Sequence, residues 1–564
     1  MISAGRAIES PTPRTSRPRP LPESRAATAP YAPARYNLPR CARAATPGPA
    51  RRPTAEGEPM SDAPASSAEH PLEPIFHPRS IAIVGVPREV NNPRGGGFLL
   101  ALLDQGFEQD KPLYLVNPNA DEIQGLPCYP SLLDTPGPVD HVISSVPARA
   151  VEGLIEQSIE KGVRSIHFYT AGFAEIGDPE LAELQDRLMA RAVDAGIRVI
   201  GPNCMGLYVP AEKIAFQNGF PSEPGNVMAI SQSGGNAMDI IFGLALRGVR
   251  FSKLVSFGNA SDVAAPELFD YAAEDPATEY VISYLEGAGD GRALFEAVGR
   301  CARVKPTIIL KGGLTDAGAR AASSHTGSLA GSRDIFEAMC RQTGAIRAAT
   351  MTELHDLLIG VSTNLRHVQG PRAMMVGGGG GFSVLAADAM ANVGVDLPEL
   401  AEETTAELRR LMPVAGNSIR NPIDASHFHS GDAREDSLRE VLRVAAHAPG
   451  VDALFVTTGS APSWIDPPAP GAKPDPERER RRAERRLLAE KQSMQDLIDL
   501  QAEAERPVIG VRRARGVERW LTDEVLELAY EHGLAVFPSL PRAARTVGRL
   551  IAGRRRREGL PELF

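Results

Sequence analysis

The sequence predicts an α/β chain: a disordered N-terminal leader followed by three doubly wound parallel-sheet units. Three observations carry this. Short apolar runs of strand length alternate with helical patterns from about residue 75 onward, the order that yields parallel sheets covered by helices. The runs are continuously apolar, as strands buried on both faces require. Glycine clusters follow the first strand of each unit, at 95–97, 234–235 and 377–381, where such folds turn from strand into helix. Aromatic residues make up only 5% of the chain, too few for a β-sandwich core.

The leader is expected over 1–70. Residues 1–59 hold twelve Pro and ten Arg against four Glu, with no Asp or Lys. Such a segment cannot bury enough apolar surface to offset its ordering entropy. Its Arg-rich, acid-poor composition fits an organellar transit peptide. It also fits translation assigned too far upstream, because Met60 precedes a second polar stretch, SDAPASSAEHPLEP. The second reading is favoured, and with it a cytoplasmic location.

The first unit, expected over 71–210, opens with the strand SIAIVG at 80–85 and continues with PLYLVNP, VDHVISSVP, RSIHFYTAGFAE and IRVIGPNC. A dinucleotide is disfavoured as its ligand. Gly85 is followed by Val86-Pro87-Arg88 instead of G-x-G-x-x-G, and the second strand ends in Asn117-Pro118-Asn119 instead of an acid. The cluster Gly95-Gly96-Gly97 before a helix still suits a phosphate held by backbone N–H groups. The other strand ends, Ser145-Val146-Pro147, Thr170-Ala171-Gly172 and Gly201-Pro202-Asn203, would complete such a site. The alternative is that these are only turns.

The second unit, expected over 211–366, places four features at strand ends facing one crevice. They are the turn Ser231-Gln232-Ser233-Gly234-Gly235, Glu286, Lys311, and His325 in the loop SSHTGS. The turn offers hydroxyls and free N–H groups with a helix dipole behind them, which suits a phosphate. An imidazole can attack phosphorus and hold it as a phosphoramidate. A carboxylate such as Glu286 would orient the ring, and a second helix start near Ser332 could oppose the first. Read from the residues alone, a loop histidine is more often a surface or capping residue. Glu286 and Lys311 read equally well as ordinary strand-end charges. His355 lies in the helical pattern TELHDLL and reads as structural.

The third unit, expected over 367–555, opens with RAMMVGGGGG and continues through VDALFVTTG, RPVIGV and LAVFPS. A Pro- and Arg-rich insert at 462–486 separates two of its strands, and its basic run opens a long helix. Its mixed charges read as a solvated face.

Composition narrows the function classes. The net charge of −9 argues against a nucleic-acid partner. No apolar run approaches the ~18 residues of a membrane span. The five cysteines, Cys41, Cys128, Cys204, Cys301 and Cys340, form no C-x-x-C pair and no zinc pattern. His427 and His429 lack an evident third ligand, so no metal is expected.

Several segments together resemble the α-type portion of ADP-forming (NDP-forming) acyl-CoA synthetases, relatives of succinyl-CoA synthetase. They are IFHPRSIAIVGVP, YLVNPNADEIQGLPCYPSL, TAGFAE, GPNCMGL, AISQSGGNAMDII, FSKLVSFGNASDV, YLEG, KPTIILKGG and AGARAASSHTGSLAGS. The likeness spans about residues 71–555 and implies a CoA-binding Rossmann-like domain followed by two flavodoxin-like domains. By this likeness His325 matches the phosphorylated histidine and Glu286 its supporting carboxylate. Ser231, Ser233, Gly234 and Gly235 match the phosphate cradle. CoA would be held around Gly85, Gly95, Gly96, Asn117, Val146, Pro147, Ala171, Gly172 and Asn203. The reaction implied is acid, CoA and ATP to acyl-CoA, ADP and phosphate through an acyl phosphate.

Two departures stand out. The third unit has five consecutive glycines, Gly377 to Gly381, where the family usually has a Thr-Asn-x-Gly-Gly type turn. The helix start Ser233-Gly234-Gly235 has glycine where alanine or threonine is common. No ATP-grasp glycine loop and no GxxxxGK[ST] motif is found. ATP, ADP and Mg2+ are therefore expected on a separate ATP-grasp β-type subunit, with a small carboxylic acid or its acyl-CoA as the other substrate. Two rivals remain: a CoA-binding scaffold without catalysis, and a serine hydrolase using Ser233 and His325. The second lacks the first glycine of G-x-S-x-G, since position 231 is Ser.

Overall fold

The computed structural model describes residues 70–90, 96–320, 332–412, 418–425, 435–458, 475–512 and 519–557. Three sheets follow one another along the chain.

The first contains β1 (Ile81–Val84), β2 (Leu113–Val116), β3 (Glu122–Ile123), β4 (Leu126–Tyr129), β5 (His141–Ser144), β6 (Ser165–Phe168) and β7 (Arg198–Ile200). Their order is β3-β4-β2-β1-β5-β6-β7. All pairs are parallel except the β3–β4 hairpin. The six parallel strands thus carry the Rossmann order, with β1 flanked by β2 and β5. Ile81, Ala82 and Ile83 are wholly buried. Burying each of the two isoleucines favours the sheet by ~1.5–3 kcal/mol.

The second sheet contains β8 (Gly206–Tyr208), β9 (Val227–Ser231), β10 (Phe251–Ser256), β11 (Tyr280–Leu285), β12 (Thr307–Lys311) and β13 (Ile346–Ala348). The order is β13-β12-β11-β9-β10-β8, and only β8 runs antiparallel. Its five parallel strands have the flavodoxin order, with the switch point between β9 and β11. β8 lies before residue 211, where the unit was expected to start, because its backbone pairs with β10.

The third sheet is parallel throughout: β14 (Ala373–Val376), β15 (Ala453–Thr458), β16 (Val508–Arg512) and β17 (Ala535–Phe537), in that order. A single bridge joins Ile423 to Val376 on the outer side of β14. The basic run opens the helix Pro476–Glu503, started by the Asp475 side chain, which accepts from the N–H groups of Glu477 and Arg478.

Charged groups join the layers. Arg198 pairs with Asp262 and Glu267 between the first and second sheets. Asp356, only 3% exposed, accepts from both Arg247 and Arg542, tying the helix Met351–Ser362 to the helix Leu540–Arg557. Removing either partner of so buried a pair would cost several kcal/mol. Among the described residues, no helix is long and apolar enough to cross a membrane.

Candidate functional site

The switch point of the second sheet is built by neighbouring strand ends. β9 and β11 pair with Tyr284 opposite Ser231, so the chain leaves both strands at one place. After β9 it turns into the helix Gly234–Ala245, and Ser233 is the N-cap in extended conformation. The Ser233 hydroxyl accepts from the N–H of Asn236 at 3.4 Å. The wholly buried Ser231 donates its hydroxyl to the Ser233 carbonyl at 2.7 Å. Ser231 is therefore a brace of the turn, while Gly234 and Gly235 open the helix with N–H groups that have no intrahelical acceptor.

Gln232, between the two serines, escaped sequence reasoning. Its side-chain oxygen accepts from the backbone N–H groups of Glu286 and Gly287, at 2.8 and 3.0 Å. Its own N–H donates to the Tyr284 carbonyl at 2.9 Å. One neutral side chain thus fixes the distance between the helix start and Glu286. The middle residue of S-Q-S carries no charge, and only its position in the turn could have singled it out.

Glu286 is half-buried at the crevice. The Tyr284 hydroxyl is bonded to both Glu286 and Asn236, and burial together with the nearby carboxylate pushes it up to about 12. Lys311 does not present its charge openly. It is 8% exposed, and its Nζ donates to the carbonyls of Glu286 and Gly312, at 2.7 and 3.1 Å. Burial lowers its pKa, with Glu286 opposing the shift. Lys311 therefore orients the backbone beneath Glu286. Ser332 caps the helix Arg333–Thr343 without a side-chain bond. His325 and its loop lie outside the described residues, as do His427 and His429.

The first sheet has its own switch point between β1 and β5; of the expected CoA residues Gly85, Val146 and Pro147 follow these two strands, while Asn117, Ala171, Gly172 and Asn203 follow β2, β6 and β7. Gly85 has φ +86°, and a Cβ on it would come within 3.0 Å of the backbone of Ser145 and Val146. Only glycine lets the two strand ends meet so closely. Val146 accepts from the Thr170 hydroxyl at 2.7 Å, so the turn leading to Pro147 is tied to the end of β6. Asn117 is used locally: its amide donates to the Val86 carbonyl, and its oxygen accepts from the N–H of Asn119. Gly96 begins the helix Gly96–Gln105, and Gly95 lies outside the described residues.

Gly172, next to Ala171, has φ +106°, and its N–H donates to the Glu175 carboxylate. The same carboxylate accepts from the Asn259 amide at 2.7 Å. Burial works to raise the Glu175 carboxyl, but the donors from Gly172, Asn259 and Phe173 hold it below its ordinary value. Asn203 donates its N–H to the Thr170 carbonyl at 2.9 Å and its amide to Asn259. Glu175 and Asn259, which sequence reasoning did not select, thus connect the two sheets' crevices.

Comparison with known proteins agrees with this architecture. Residues 79–210 match a CoA binding domain model, and residues 224–359 match a succinyl-CoA ligase like flavodoxin domain model. The ADP-forming acetate–CoA ligase I of Archaeoglobus fulgidus is 34% identical over 386 residues, covering 68% of this chain and 54% of the relative. The chain thus spans about half the length of that relative. The α subunit of the Pyrococcus furiosus ADP-forming acetate–CoA ligase II is 33% identical, covering 68% of this chain and 81% of the subunit. A solved acetyl-coenzyme A synthetase 1 from Ca. Korarchaeum cryptofilum, in complex with phosphate and ADP, superposes with TM-score 0.68 at 31% identity. It covers 86% of this chain and 97% of that one. The chain belongs to the ADP-forming acetate–CoA ligase family, whose members are acid–thiol ligases.

Proposed function

We propose that this chain is the CoA-binding, phosphohistidine-carrying α-type subunit of an NDP-forming acyl-CoA synthetase. His325 takes the phosphoryl group from an acyl phosphate: a P–N bond forms, the acyl P–O bond breaks, and the carboxylate leaves. The histidine then passes the phosphoryl group to ADP. In the other direction the same relay activates the acid for attack by CoA. The CoA site is formed by Gly85, Gly95, Gly96, Asn117, Val146, Pro147, Ala171, Gly172 and Asn203. Glu286 orients the imidazole, and the helix start at Ser233-Gly234-Gly235 receives the phosphoryl oxygens. The nucleotide and Mg2+ belong to a separate ATP-grasp subunit, and the working division of the chain is 71–210, 211–366 and 367–555, with a cytoplasmic location.

The observation that supports this reading most is the Gln232 bridge. It holds an N-capped helix start and a half-buried carboxylate at the switch point of a flavodoxin-type sheet. Positioning is what phosphoryl transfer chiefly needs. The same geometry weighs against a serine hydrolase. Ser233 has φ −110° and accepts a capping bond from Asn236, instead of standing exposed on a strained elbow. A scaffold role would need none of this arrangement. The test is reconstitution with an ATP-grasp subunit: the pair should form ATP from acyl-CoA, ADP and phosphate. The His325→Asn pair should lose turnover and keep CoA binding; retained turnover would refute the relay.

A further inference from the structure

At the opposite, amino-terminal edge of the second sheet lies a cavity of about 830 Å3. It opens where β11, β12 and β13 begin, so the length of β11 separates it from Glu286, roughly 17–20 Å. Its floor is Tyr280 and Thr307 at the starts of β11 and β12, and the helix Leu540–Arg557 forms one wall. Six cationic side chains line it: Arg303, Lys305, Arg341, Arg366, Arg549 and Arg554. The acid among its lining residues is Glu279. The chain as a whole carries −9, whereas cations outnumber acids in this lining. A second cavity of about 260 Å3 shares Arg341 and Arg549 and adds Arg556 and the pair Arg347–Glu337.

Part of this charge is already engaged. Lys305 donates to the carbonyls of Ala272 and Asp275, Arg366 to the Tyr280 hydroxyl, Arg549 to Glu353 and Arg554 to the Val368 carbonyl. Arg303 and Arg341 are exposed and form no ion pair among the described residues. They stand at the C-terminal ends of two helices, Gly291–Val304 and Arg333–Thr343. The remaining wall is apolar, with Val304, Val361, Val368 and Leu550.

We propose that this cavity binds a small molecule bearing two or more adjacent phosphates. Guanidinium groups from separate elements converge on one concave space, which suits bidentate contact with neighbouring phosphates. The volume lies within the range of small-molecule sites, ~300–1,000 Å3, and exceeds what two phosphates alone would fill. The apolar wall offers a place for a non-phosphate part. The site does not depend on the relay proposed above, because it shares no residue with it.

The test titrates the full chain, free of CoA, with inorganic tripolyphosphate and with magnesium-free ATP at low and high salt. Both probes should bind at low salt and weaken as salt rises. Tighter binding of ATP would assign a nucleotide as the source, and equal binding a free polyphosphate. The double variant Arg303→Glu, Arg341→Glu should weaken either probe by about tenfold or more. The double Lys variant should keep most of the affinity, and both should melt as wild type does, which reports an intact fold. Binding undiminished by the charge reversal, or no binding of either probe at low salt, would overturn the proposal.

Discussion

The turn after β9 and the turn after β14 occupy equivalent places in two flavodoxin-type sheets, yet they are held in different ways. The first is held by side chains: the Ser231 hydroxyl, the Ser233 cap and the Gln232 bridge to Glu286 and Gly287. The second, Gly377 to Gly381, has no side chains of its own: φ is +115° at Gly377 and +78° at Gly378, the Gly377 N–H donates to the Ile423 carbonyl, and the Thr457 hydroxyl donates to the Val376 carbonyl just before it at 3.5 Å. A Cβ on Gly377 would lie 1.7 Å from the Thr457 hydroxyl. Gly379 caps the helix Gly380–Ala391 with no side-chain bond. A strand-to-helix turn can thus be fixed by polar side chains or by close packing of bare backbone. The two solutions should fail differently.

The largest effect is expected at the bare turn. Gly377→Val forces a β-branched residue into positive φ and into Thr457, and should destabilise the chain by ~3 kcal/mol or more. A urea midpoint close to wild type would mean that the turn is not closed as described. At the other turn, Gln232→Leu leaves two backbone N–H groups without their acceptor. A loss of ~1–3 kcal/mol should accompany a fall in turnover, measured by unfolding and by ATP formation in the reconstituted pair.

Acidification acts on the helix that packs behind the turn after β9. His355 packs against Gly243 of the helix Gly234–Ala245, and burial beside Arg247 lowers it to about 4. Its unfolded value is higher, so the unfolded chain binds more protons in between. Stability is full above ~6.5 and falls as pH drops toward about 4. The slope from this group is at most ~1.4 kcal/mol per pH unit. His355→Asn should reduce the slope of stability against pH by that amount. The smallest effects concern the caps. Ser233→Ala should cost ~1 kcal/mol, while Gly379→Ser should gain a few tenths; thermal melts of both would show whether the caps differ as the two turns do.

Much of this was legible in the sequence because buried parallel strands are plain apolar runs. IAIV, VMAIS, YVISYL and TIILK read directly as strands β1, β9, β11 and β12. β8 (GLY) and β13 (IRA) were not legible, since three residues leave no periodicity and pairing with the sheet edge defines them. In the hairpin, β3 has two residues, and β4, LPCY, is interrupted by a proline. At the site, Ser233 and Glu286 stood out as polar residues closing apolar runs. Gln232 and Glu175 did not, because their partners lie more than fifty residues away; nor did Tyr284, whose hydroxyl joins Glu286 to Asn236 of the helix Gly234–Ala245. Lys311 drew notice for its charge, which the fold directs to backbone carbonyls.

The claim on which the functional account rests is tested most directly by locating the phosphate. The chain and an ATP-grasp partner, given labelled ATP, should yield phosphoprotein that is acid-labile and base-stable, with the label on the peptide containing His325. Label on Ser233, acid-stable label, or full labelling of the His325→Asn variant would contradict it.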